Sequence, residues 1–130
     1  YKRQDGPYAT GFEWLSRDPA QVQLYVDDPA CGFVLRAGSV ANLMAGAREA
    51  RKKSFIAGIP AELPLYVFSG QADPVHGEEK GLNRLLKRYR AQISQVDYRL
   101  YPEGRHEMLN ETNRDEVAAD LVGWLKQALL

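Results

Sequence analysis

An α/β fold is predicted on three observations. LPLYVFSG (63–70) is a short continuous apolar run closed by Ser-Gly, the pattern of a strand covered on both faces. Residues 78–93 place Leu82, Leu85, Leu86, Tyr89 and Ile93 on one helical stripe. VDYRLYP (96–102) alternates Val96, Tyr98 and Leu100 with polar neighbours and stops at Pro102. A strand–helix–strand unit makes its strands parallel neighbours, and parallel strands need helices on both faces.

The elements before and after follow from local signals. Residues 1–18 carry Gly6, Pro7, Gly11 and several aromatics without clear periodicity. Asp18-Pro19 reads as a helix start, with Asp18 as the cap and Pro19 at the first helical position. Val22, Tyr25 and Val26 would share a face, and Asp28-Pro29 ends the helix. A second helix is expected from about Ser39 to Ser54, with Leu43, Met44 and Ala47 together. Asn113 can cap a last helix, with Glu116 completing a capping box. Its inner face would carry Val117, Leu121, Trp124, Leu125 and Leu129. These signals divide the chain into residues 1–58, helical and irregular, and 59–130, alternating strand and helix.

Composition narrows the class. A chain of 130 residues suits one domain. Seventeen basic and seventeen acidic residues cancel, so there is no electrostatic footprint for nucleic acid and no polybasic membrane patch. The local surplus at Arg48, Arg51, Lys52 and Lys53 reads as a solvated helix end. Cys31 is the one cysteine, so no internal disulfide forms, which suits a reducing compartment such as the cytoplasm. No apolar run reaches the ~20 residues of a membrane span. Peripheral membrane association and a signal upstream of Tyr1 both stay open.

Two strands make too small a sheet, and an apolar strand at 65–68 should have a neighbour on each edge. The expected reading is the C-terminal part of a larger doubly wound sheet. The remainder would come from elsewhere in the same protein or from another chain. Chemistry in such sheets collects at the carboxyl ends of the strands. SGQADPVHG (69–77) puts Asp73 in one such turn, and EGRHE (103–107) puts His106 in the next. Adjacent parallel strands lie ~4.8 Å apart, so the carboxylate can reach the imidazole and fix its tautomer. The same pair could equally be structural.

SGQADPV followed by YPEGRHEMLNE resembles the last two catalytic loops of α/β-hydrolases. It is most similar to the monoacylglycerol lipase and bacterial lysophospholipase-like group. TGFEWLSRDPAQVQLYVDDPACGF (10–33) resembles the end of that group's helical cap, so the likeness runs from Thr10 to Leu130. It implies a C-terminal α/β core at 59–130, preceded at 1–58 by the end of a cap and the return to the core. It also implies Asp73 as the acid and His106 as the base of a Ser-His-Asp triad; no cofactor is expected, and no metal, because no second pair matches Asp73 and His76. The nucleophile belongs in a Gly-x-Ser-x-Gly elbow, and none of Ser16, Ser39, Ser54, Ser69 and Ser94 has that setting. The implied substrate is a lipid-like ester, a monoacylglycerol or lysophospholipid, and the chain alone should be inactive.

The same acid and histidine also serve epoxide or haloalkane hydrolysis and acyl transfer, and a catalytically silent interaction fragment is the non-enzymatic alternative. Phe12, Trp14, Leu15, Leu43 and Met44 could line an acyl pocket, although apolar cap residues more often simply pack. His76 would border the site. Arg105 and Glu107 are expected to anchor the histidine loop, and Asn110 and Glu111 to tie it to the following helix. Cys31 reads as a small packed group rather than a nucleophile.

Overall fold

The computed structural model describes residues 10–77 and 79–129. Helix α1 (Pro19–Asp27) starts where the sequence places it: the Asp18 carboxylate accepts from Ala20 N–H at 3.0 Å, and Pro19 takes the first turn. Val22 is buried and Tyr25 half-buried against Phe12, with ring centroids 4.9 Å apart, while Val26 is exposed. The expected helix at 39–54 is instead two, α2 (Ala37–Ala50) and α3 (Lys53–Ala57). Lys52 goes extended (ψ 144°) and turns the chain so that Ile56 is buried. The Arg88 guanidinium donates to the Arg51 carbonyl left open at the break.

Strands β1 (Leu65–Gly70) and β2 (Val96–Tyr101) pair in parallel, from Leu65 opposite Val96 to Gly70 opposite Tyr101. Helix α4 (Lys80–Arg90) crosses between them and buries Leu82 and Leu86; Ile93 is buried just beyond it. Helix α5 (Arg114–Ala128) follows β2 and buries Val117. Among the described residues the sheet has these two strands, so β1 pairs along one edge. Its residues 65–69 are half-buried rather than covered on both faces for that reason.

β2 does not divide into one inner and one outer face as expected: Val96 and Leu100 are half-buried, as is Asp97, and Arg99 is exposed. Tyr101 is fully buried, whereas Tyr98 is exposed and lies beneath the Arg90 guanidinium, 5.2 Å from its ring centre. Side chains alternate along a strand, so Asp97, Arg99 and Tyr101 share a face, and α5 covers it. Trp124 Nε1 donates to Asp97 at 2.8 Å, Arg99 reaches Glu116 at 2.8 Å and Asp120 at 2.7 Å, and the Tyr101 hydroxyl donates to Asp120 at 2.8 Å. Burial, then the Asp120 hydrogen bond, pushes the Tyr101 phenol far up. Beside this ladder Tyr66 of β1 stacks on Trp124 at 5.3 Å, and Phe68 packs on the cluster of Tyr101, Met108 and Val117. The polar letters that suggested a solvent face are partners of α5. With α4 on one face and α5 on the other, both carboxyl ends are left open.

Candidate active site

The site forms where the two strands end. Gly70 and Gly104 let the turns touch: a Cβ on Gly70 would stand 2.1 Å from the Gly104 carbonyl oxygen. The turns are then stitched together, with Gln71 N–H donating to Tyr101 O and Ala72 N–H to Gly104 O, both at 2.9 Å. Asp73 caps the short 3-10 turn Pro74–His76, its Oδ1 accepting from Val75 N–H at 2.8 Å. Its Oδ2 is left to face the next loop, where His106 Nδ1 stands 3.1 Å away. Asp73 is buried and the His106 side chain is 38% exposed. A carboxylate at Nδ1 keeps the neutral proton there and leaves Nε2 as the basic nitrogen. Among the described residues Nε2 has no hydrogen-bond partner, and the residue is exposed.

Residues 14–18 hold this loop from outside. The Trp14 and Leu15 carbonyls accept from His106 N–H (3.3 Å) and Glu107 N–H (2.8 Å), and Leu15 is buried. The Trp14 ring lies against the imidazole, centroids 5.1 Å apart at 43°. Ser16 donates to Asn110 O at 2.8 Å, and Asp18 pairs with Arg114 at 2.8 Å. Arg105 donates to the Glu13 and Ser16 carbonyls.

Glu111 is the centre of the clasp. It is fully buried and accepts from Arg105 N–H (2.8 Å), Thr112 N–H (3.0 Å), Arg17 N–H (3.1 Å) and Arg17 Nε (2.9 Å). Burial alone would push its carboxyl up, but the bonds from Arg105, Arg17 and Thr112 outweigh it and hold it below 4.5. The sequence tied Glu111 to the following helix; its larger partner is Arg17, far away in the chain. Asn113 sits at the N-cap of α5 but makes no cap bond, because its Oδ1 accepts from Arg17 at 3.1 Å and its amide donates to Glu116 at 2.9 Å. The capping box is therefore not formed.

The other candidates separate. His76 spends both ring nitrogens locally, Nδ1 accepting from Glu79 N–H at 3.0 Å and Nε2 donating to Gly70 O at 2.9 Å. Phe12 packs on Tyr25, while Leu43 and Met44 are exposed on α2. Burial, then the carboxylates of Asp28 and Glu107, push the Cys31 thiol up, away from thiolate. Among the described residues no group of three or more His, Cys, Asp or Glu could hold a metal.

Parallel strands between two helices, with an acid after one strand and a histidine after the next, fit the C-terminal part of an α/β-hydrolase fold. The chain belongs to the family described as serine aminopeptidase, S33, whose model matches residues 6–113, both loops included. A solved carboxyl esterase from Bacillus coagulans, described as highly thermostable and in complex with glycerol, superposes with a TM-score of 0.85. It is 23% identical over 98% of this chain and 42% of its own. A lipase in an open form gives 0.80, at 28% identity over 95% of this chain and 39% of its own. The chain spans about two fifths of the length of these structures. No curated protein matches it.

Proposed function

We propose that this chain carries the acid and base of a serine ester hydrolase whose nucleophile lies outside residues 1–130. The observation that carries the reading is the Asp73–His106 contact of 3.1 Å through Nδ1 at the ends of adjacent parallel strands, on a histidine that is exposed. A serine brought to Nε2 would lose its proton to His106 as it attacks the ester carbonyl; His106 would return that proton to the leaving alcohol. Asp73 holds the ring's tautomer and offsets the imidazolium charge. Water then releases the acyl group by the same cycle. Among the described residues β1 pairs along one edge, which supports a sheet completed by another part of the same protein or by another chain. In this reading residues 1–58 end a cap and return to the core at 59–130.

The substrate we favour is a monoacylglycerol or lysophospholipid, on the likeness of 10–33 and 101–111 to that group, and contact with a membrane surface would follow from it. The family description favours a second reading, amide cleavage at a peptide amino terminus. Turnover by the full-length protein decides between them: release of fatty acid from monoacylglycerol and lysophospholipid, against release of nitroaniline from aminoacyl nitroanilides. Ester turnover that disappears in His106→Ala supports the proposal. Amide turnover without ester turnover refutes it, and so does activity that His106→Ala leaves intact.

A further inference from the structure

The imidazole of a general base must present one nitrogen along one line, yet a single hydrogen bond leaves the ring free to rock about it. Torsions that end in an aromatic ring are broad. His106 is held by one side-chain hydrogen bond, to Asp73 at 3.1 Å, and its side chain is 38% exposed. The ring beside it is that of Trp14, with its centroid 5.1 Å away and its plane tilted by 43°. The main chain of Trp14 is held to the histidine loop by its own carbonyl on His106 N–H and by the neighbouring Leu15 carbonyl on Glu107 N–H. The motif Trp14–Asp18 is thereby locked to the histidine loop through main chain, with one side chain turned onto the ring.

We propose that Trp14 is a positioning residue for His106, a lateral stop that keeps Nε2 aligned with the incoming nucleophile, rather than a wall of the acyl pocket. The proposal deepens the ester-hydrolase reading and rests on it. Replacing the side chain leaves the carbonyl bonds of residues 14 and 15 in place, so the loop stays while the ring gains freedom. Loss of alignment acts on the chemical step and not on substrate affinity.

The test uses the full-length enzyme with a short soluble nitrophenyl ester. Trp14→Leu is expected to lower kcat roughly tenfold with KM changed by less than about twofold, and Trp14→Phe to restore most of it. An unchanged kcat in a folded Trp14→Leu enzyme overturns the proposal. A loss confined to KM that grows with acyl length also overturns it, and makes Trp14 a pocket wall. A second measurement stands apart from turnover. Protonated imidazole quenches indole fluorescence on contact, so the difference in emission between wild type and Trp14→Phe should fall on acidification. That step should vanish in His106→Gln. Its absence from the wild type overturns the contact even if Trp14→Leu fails to fold. If no ester is cleaved, the functional reading fails while the fluorescence still decides the contact.

Discussion

From Trp14 to Arg17 every residue bonds to the loop that carries His106, and Asp18 pairs with Arg114 at the start of α5, whereas α2 runs for fourteen residues without burying one. Both stretches belong to the segment that resembles a cap and its return. They teach different things. The first shows that the acid and histidine are aligned by residues of this chain: two touching turns, a buried carboxylate and a locked motif. The second carries an apolar stripe, Val40, Leu43 and Met44, that is 39%, 58% and 49% exposed. A helix that buries nothing has little to hold it beyond its own hydrogen bonds.

The largest expected effect breaks the first region at its chemical end. In the full-length enzyme His106→Ala should lower kcat by ~10³-fold or more, because triad members act as a unit. Asp73→Asn should cost a similar ~10³–10⁴-fold by favouring the wrong tautomer. Both variants should unfold near the wild-type denaturant midpoint. Steady-state kinetics beside urea denaturation separates chemistry from fold.

Next is the clasp. Glu111→Ala leaves Arg17 and several N–H groups without an acceptor, and should destabilise the full-length protein by ~3–5 kcal/mol in urea unfolding. The folded carboxyl sits below its ordinary value of 4.5, so its contribution is complete above that value. The contribution is lost as pH falls through the lower, folded value. The gap between wild type and Glu111→Gln should therefore close on acidification and stay constant from pH 6 to 8, as urea midpoints at each pH would show. A gap that widens in acid would mean the carboxyl is not held ionised by these bonds.

A smaller effect is expected from Gly104→Ala. Its Cβ would stand 2.7 Å from Sδ of the buried Met108 and 3.1 Å from Gly70 Cα, so a cost of ~1–3 kcal/mol is expected. The smallest effect belongs to α2: Leu43→Ser in the 130-residue chain should change stability by less than about 0.5 kcal/mol. The same change costing more than about 2 kcal/mol in the full-length protein would show that a surface outside this chain covers the stripe.

Much of this was legible from letters. Asp18-Pro19 fixed the start of α1, the run at 63–70 marked β1, and the turns holding Asp73 and His106 stood out because each ends a strand. What failed did so for stated reasons. The face of β2 that carries Asp97, Arg99 and Tyr101 was not recognised as a packing face, because Asp97 and Arg99 look solvent-seeking until α5 supplies Trp124, Glu116 and Asp120. The break at Lys52 is imposed by burial of Ile56, which local periodicity cannot contain. Glu111's tie to Arg17 is long-range, and within the motif at 14–18 the letters offered Trp14 and Leu15 as pocket candidates and Asp18 as a helix cap, not as partners of the histidine loop. Its physical work became readable once both loops were in place.

The central claim is that Asp73 and His106 form a working acid–base pair for a serine outside this chain. Treatment with a fluorophosphonate, followed by intact-mass and peptide analysis, tests it most directly. The full-length protein should gain one adduct, on a serine outside residues 1–130, and His106→Ala should abolish it, while the 130-residue chain gains none. A stoichiometric adduct on the 130-residue chain would contradict the account, as would undiminished labelling of His106→Ala.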